Sequence, residues 1–375
     1  MPRDYTMAPS GDVIITLRNP NVPLDVGVES PSQPKKSESE SGGNQANNDT
    51  SQNKSITYLV SSQHLILASP VFKAMLTGGW AEGNKKPEST VLHVDAEDWD
   101  AEAFTIAMKV LHGHCHQVPC KVSLELLGKL ALIVDYYHIK EPFPFIYKEW
   151  ISHVKTRLPV PNDLGRTLDL FMWVSFVLDD PVTFSQVTRV AILKGKEGWK
   201  PSENIPILQC VIDKINQKRR NAMGSIATEL HRPRTRYSEE CAGCNFACSV
   251  MQLGLLIRSL HQIKFWDHRT DSSESPFGNN SLIEVIKILA EMVMPVWSVP
   301  TTAYGSASKR HVCTRQADMA VFKLGVREDI KPQDNAAGSC LMADISDFLK
   351  GVKDTTMTGL RLGDYVKEAD FKAPK

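Results

Sequence analysis

At 375 residues the chain has room for about two domains of roughly 150 residues each. Its 43 Lys and Arg balance 43 Asp and Glu, so no global field draws it to nucleic acid or to an anionic membrane. Hydrophobic residues make up 42% of it, ordinary for a protein with packed cores, and no apolar run approaches the roughly 18 residues that a membrane span needs.

The N-terminal stretch MPRDYTMAPSGDVIITL lacks a charged segment followed by an apolar core, so it does not read as a secretory signal. The expectation is a reducing compartment, nucleus and/or cytoplasm. The eight cysteines then read as free thiols or metal ligands before they read as disulfides.

Residues 11–17, GDVIITL, alternate. Val13, Ile15 and Leu17 take one face, and Asp12, Ile14 and Thr16 the other, which predicts a strand with one buried side. The Ser-, Asn-, Gly- and Lys-rich run at about 29–54 cannot bury enough apolar surface to offset the entropy of ordering it, and it is expected to be a disordered insertion. Ile56, Tyr58 and Val60 alternate again. In SSQHLILASPVFKAML, residues 61–76, Ser69 is a good N-cap and Pro70 a good first helical residue, with Phe72, Met75 and Leu76 on one side. STVLHVD makes a third strand. Asp100 is placed to cap a helix whose stripe is Phe104, Ala107, Met108 and Leu111. After the polar loop HGHCHQVPC, Ser123 is placed to cap another helix, lined by Leu124, Leu127, Ala131, Val134 and Tyr137.

From about 143 onward the pattern is helical, over roughly 143–156, 165–178, 181–194, 205–230, 246–264 and 281–293, with Asp180-Pro181 repeating the cap-plus-proline signal. Past about 325 only LMADISDFL is apolar. The fold class is α+β: a short-stranded sheet with a helical cluster, followed by a mostly α-helical region.

GDVIITLRNP, YLVSSQHLILASPVFKAMLTGGWAEG, VLHVDAEDWDAEAFTIAMKVLHG and VSLELLGKLALIVDYYHIKEPF, in that order, resemble a fungal-type BTB/POZ domain. The resemblance divides the chain into a tail at 1–10, the BTB/POZ domain at 11–145 around the insertion, a helical region at 146–235, a helical region with a Cys/His cluster at 236–330, and a C-terminal tail at 331–375. It implies a non-enzymatic protein that binds protein partners and forms homo-oligomers. In cullin-recruiting members a hydrophobic-x-Glu element follows the helix. Here Trp80 and Glu82 lie at the matching place, as the candidate partner-binding residues, with a tryptophan in place of the usual smaller side chain. His64 is read as a framework residue, its imidazole bonding a backbone group left open where strand turns to helix.

CAGCNFACS carries Cys241, Cys244 and Cys248, and KRHVCTR carries His311 and Cys313. Cys244 and Cys248 stand one helical turn apart, and His311 and Cys313 are two residues apart on an extended segment, so each pair can converge. The fungal relatives implied by the resemblance carry a similar pairing. The expected ligand set for a structural zinc is Cys244, Cys248, His311 and Cys313, with Cys241 as the alternate. His112, His114, Cys115, His116 and Cys120 in HGHCHQVPC look metal-like but belong to an exposed loop, where adventitious metal or none is expected.

No G-x-S-x-G, Walker loop or H-E-x-x-H is present, so catalysis is not expected. The basic runs 216–220 and 231–236 read as solvated helix ends, and nucleic acid is not an expected partner. Substrate adaptor of a cullin-type ubiquitin ligase and DNA-associated regulator are the rival readings.

Overall fold

A computed structural model describes residues 4–21, 55–77, 91–240, 242–263, 265, 277, 279–292, 298–299, 309–310, 340–356 and 358–365. The expected insertion at 29–54 lies outside the described residues, as do Trp80 and Glu82. The chain is α+β and mostly helical. Its described part divides into two compact units, residues 1–159, 173–180 and 202–206 forming one, and 160–172, 181–201 and 207–375 the other. No described helix is long and apolar enough to cross a membrane.

The first unit is built on a mixed sheet of β1 (Tyr5–Thr6), β2 (Val13–Arg18), β3 (Ile56–Val60) and β4 (Leu92–Glu97), in the order β1-β3-β2-β4. β2 runs antiparallel to β3 and parallel to β4, with Ile15 opposite Tyr58 on one side and Val94 on the other. The expected alternation holds: Val13, Ile15 and Leu17 are fully buried. β1 lies in the stretch read as a tail and pairs in parallel with β3.

Six helices complete or adjoin this unit: α1 (Ser62–Ala68), α2 (Pro70–Thr77), α3 (Ala101–Leu111), α4 (Leu124–Tyr136), α5 (Pro144–Arg157) and the C-terminal part of α6 (Arg166–Val177). Both expected caps form. Asp100 Oδ1 accepts the Ala103 N–H at 3.0 Å, and Ser123 Oγ accepts that of Leu126 at 3.1 Å. Burial disfavours the charged Asp100 carboxylate. The Lys129 ammonium, 2.7 Å away, and the Ala103 N–H outweigh that and hold its pKa below the ordinary value.

Ser69 explains why SSQHLILASPVFKAML breaks into two helices. Its Oγ accepts the Phe72 N–H at 3.0 Å as the cap of α2, and donates to the Tyr137 carbonyl at 2.5 Å. The Phe72 ring stacks on that of Tyr137 with centroids 4.5 Å apart. One small residue therefore starts a helix and ties it to the end of α4. Burial pushes the Tyr137 phenol up to about 12.

The role expected of His64 falls to His112. The Ser61 N–H, at the strand-to-helix turn, donates to His112 Nε2 at 3.0 Å, and His112 Nδ1 lies 2.8 Å from the Met108 carbonyl. His64 is exposed and stacks on the His112 ring at 5.1 Å. His114 is likewise used locally, with Nε2 2.7 Å from the Met7 carbonyl. Asp180, expected as a helix cap, accepts from Lys155 Nζ at 3.3 Å and from the Tyr147 hydroxyl at 3.4 Å. Burial, then the Asp180 charge, raises the Tyr147 pKa.

The second unit is helical: α7 (Pro181–Lys194), α8 (Gln209–Glu239), α9 (Phe246–Gln262), α10 (Leu282–Ala290) and α11 (Cys340–Thr356), with a two-stranded ribbon of β5 (Ser298–Val299) and β6 (Lys309–Arg310). α8 packs against α7, α9, α10 and α11. It runs through Pro233, nine residues past the expected end at 230, because Pro233 and Tyr237 are buried on its core face. Ser281 and Glu284 form a full capping box at the start of α10. The stretch read as a C-terminal tail carries α11 and a docked segment after it. There the Leu360 N–H donates to Thr188 Oγ1 at 2.9 Å, Lys218 Nζ donates to the Thr358 and Gly359 carbonyls at 3.3 Å, and Leu360 and Leu362 are buried.

Candidate metal centre

The loop ahead of α9 is folded hard onto that helix's first turn. A Cβ on Gly243 would meet the Ser249 nitrogen at 2.5 Å and the Cys248 carbonyl carbon at 2.9 Å, both backbone atoms, so only glycine fits. Asn245 then caps α9, its Oδ1 accepting the Cys248 N–H at 2.8 Å. The tight turn before the cap and the first helical turn after it put Cys244 and Cys248 together, as their spacing predicts.

The third member of the cluster comes from far along the chain. Cys340, the first residue of α11, joins Cys244 and Cys248, with the three sulfurs all within 4.8 Å of one another. These three residues can hold a metal ion. Cys248 and Cys340 are buried and Cys244 is exposed, so the group is open on one side only. Thiolates around one zinc at about 2.3 Å stand about 3.8 Å apart in a tetrahedron, a small side-chain adjustment from the spacing here. It is the only such group of three or more Cys, His, Asp or Glu among the described residues.

A buried amide lies beside the sulfurs. Gln252, one turn after Cys248, directs Nε2 at Cys248 Sγ over 3.8 Å, and its Oε1 accepts the Leu341 N–H at 3.3 Å. It both donates to a prospective ligand and links α9 to the first turn of α11. Below it, Ser249 Oγ donates to the Tyr237 carbonyl at 3.1 Å. Asp344 of α11 accepts from the Tyr237 hydroxyl at 3.0 Å and pairs with Arg236 at 3.3 Å. Neighbouring groups thus hold the helices that carry two of the sulfurs.

Of the expected ligands, Cys244 and Cys248 are brought together. Cys241, His311 and Cys313 lie outside the described residues. Cys340 is not among the expected ligands. No spacing rule links it to the other two, and the only hint in the sequence is its position at the head of an apolar run.

The basic side chains of α8 mostly pair at its surface, and Arg219 alone of its arginines is buried. Arg219 is buried and paired with Glu197, which also faces Arg220 at 3.8 Å; Arg232 pairs with Glu229 at 3.2 Å and Arg236 with Asp344. The 216–220 run sits in the middle of α8, whereas 231–236, with Arg232 and Arg236 exposed, lies in its last turns as a solvated helix end.

No protein-family model, curated protein or solved structure matches the chain.

Proposed function

We propose that the protein is a non-enzymatic interaction protein whose N-terminal unit is a BTB/POZ domain that self-associates. The observation that carries this reading is a pair of large apolar side chains the unit leaves in water: Leu67 on α1, 87% exposed, and Phe145 at the head of α5, 92% exposed. Fully burying such a side chain is worth about 1.5–3 kcal/mol; Leu67 lies in a segment that carries the resemblance, and Phe145 at the limit of the 11–145 range it covers. A symmetric pair of chains forming a stable interface buries over about 1,200 Å² in total.

The test is the mass of the full chain in solution by sedimentation velocity over a hundredfold range of concentration. A concentration-dependent dimer is expected, and Leu67→Asp with Phe145→Asp should shift it toward monomer while the helical circular dichroism stays unchanged. A chain that remains monomeric throughout, or a dimer indifferent to both changes, overturns the reading.

We further propose that the ion accepted by the cysteine centre is zinc in a structural role. Soft thiolate donors suit zinc, and a fourth protein donor beside the three sulfurs would leave no position for a reactive water. Elemental analysis of the purified full chain should find close to one zinc per molecule, and a metal-free, folded protein would end this proposal.

A further inference from the structure

We infer that Cys340 is a ligand of the cysteine centre, and that the ion bound there clamps the C-terminal helix α11 onto α9. This rests on the zinc reading above and narrows it. The spacing, together with what the resemblance implies, selects Cys244, Cys248, His311 and Cys313, with Cys241 as the alternate. The fold instead places Cys340 within 4.8 Å of both Cys244 and Cys248, buried at the end of a helix whose Leu341, Ile345 and Leu349 are also buried. A tetrahedral ion takes four donors. With three of them supplied by Cys244, Cys248 and Cys340, one position is left, so His311 and Cys313 do not both bind it.

Electrostatics gives the centre its function. Three thiolates crowded this closely repel unless a cation lies between them, so each loses its proton as the ion enters. The ion then bridges the loop before α9 and the first residue of α11, beside the Gln252–Leu341 hydrogen bond that links α9 itself to α11. Further along α11, attachment depends on Asp344 and the apolar stripe. Removing the ion should therefore release the first turns of α11 while the rest of the unit keeps its core.

The test uses the full chain. Zinc affinity is measured by competition with a chromophoric chelator, and the thiolate count by the sulfur-to-metal charge-transfer band after cobalt substitution. Cys340→Ser should weaken binding at least tenfold and lower the charge-transfer intensity, whereas Cys115→Ser, in the exposed loop of the first unit, should change neither. Of His311→Ala and Cys313→Ser, at least one should leave affinity at the wild-type level. If wild type binds zinc and Cys340→Ser binds it with the same affinity and the same cobalt spectrum, the inference fails and the zinc reading stands. If wild type binds no zinc, both fail. Should Cys340→Ser not fold, hydrogen exchange of the wild type decides: chelation should speed exchange over 340–346 at least tenfold and leave the middle of α8 unchanged, and equal protection with and without metal overturns the inference.

Discussion

His112 Nε2 accepts the Ser61 N–H at 3.0 Å, so a ring from the end of α3 closes the turn by which β3 passes into α1. For Nε2 to accept, the ring is neutral and its proton sits on Nδ1, pointing at the Met108 carbonyl. Burial first, and then the neighbouring His64 and His114, lowers the His112 pKa from 6.5. Between that lowered value and 6.5 the unfolded chain binds a proton that the folded chain does not. The contribution to stability is therefore complete above about pH 6.5 and declines as pH falls below it. Urea midpoints at pH 7.5 and 5.5 should differ more for wild type than for His112→Gln. Equal differences would remove His112 from the acid response. At pH 7.5 the substitution itself should cost about 1–3 kcal/mol, because it disturbs a half-buried donor.

Ser69→Ala removes two bonds at once, the cap of α2 and the hydroxyl that satisfies the Tyr137 carbonyl. The expected loss is about 2 kcal/mol, with loss of a cap typically about 1 kcal/mol and a buried unsatisfied acceptor adding to it. Chemical denaturation monitored by tyrosine and tryptophan fluorescence measures it. A change under a few tenths of a kcal/mol would show that water replaces the hydroxyl at little cost.

Gly243→Ala drives a methyl into the backbone of Cys248 and Ser249. The loop must lift, which moves Cys244 away from the other two sulfurs. Zinc affinity should fall at least tenfold while the helical signal stays close to wild type. An unchanged affinity would mean that the loop has room elsewhere to give.

Asp344→Asn keeps the size of the side chain but discharges the partner of Arg236 and weakens the acceptor of the Tyr237 hydroxyl. About 1–2 kcal/mol should be lost, since hydrogen bonds to a charged group are worth about 1.5–3 kcal/mol. The loss should appear as faster amide exchange in 340–351, with exchange in the first unit unchanged. Uniform exchange across the chain would place the loss in global stability.

Elements carried by local chemistry are legible in the sequence. α7 begins at Pro181 and ends at Lys194 as its pattern predicts, and Asp100, Ser123 and Ser69 all cap helices. Elements decided by distant partners are not. β1 is two residues long, too short for periodicity, and exists because β3 offers an edge. The basic, proline-containing end of α8 reads as a helix terminus, yet the buried contacts of Tyr237 carry the helix past it. His64 and His112 are equally plausible imidazoles by sequence, and only the folded-back path of α3 decides which meets Ser61. The same holds for the cysteine centre: the Cys244–Cys248 half is a local spacing, whereas Cys340 is delivered by the docking of α11.

α8 spans 31 residues, a rod of about 46 Å, and α7, α9, α10 and α11 all lean on it. All four share one support, so unfolding of α8 reaches each of them even where a single helix end can loosen alone. A break in that rod, such as a glycine pair in place of Ala222 and Met223, would withdraw the backing from all of them together, so this half of the chain should melt as a single cooperative block rather than peel helix by helix.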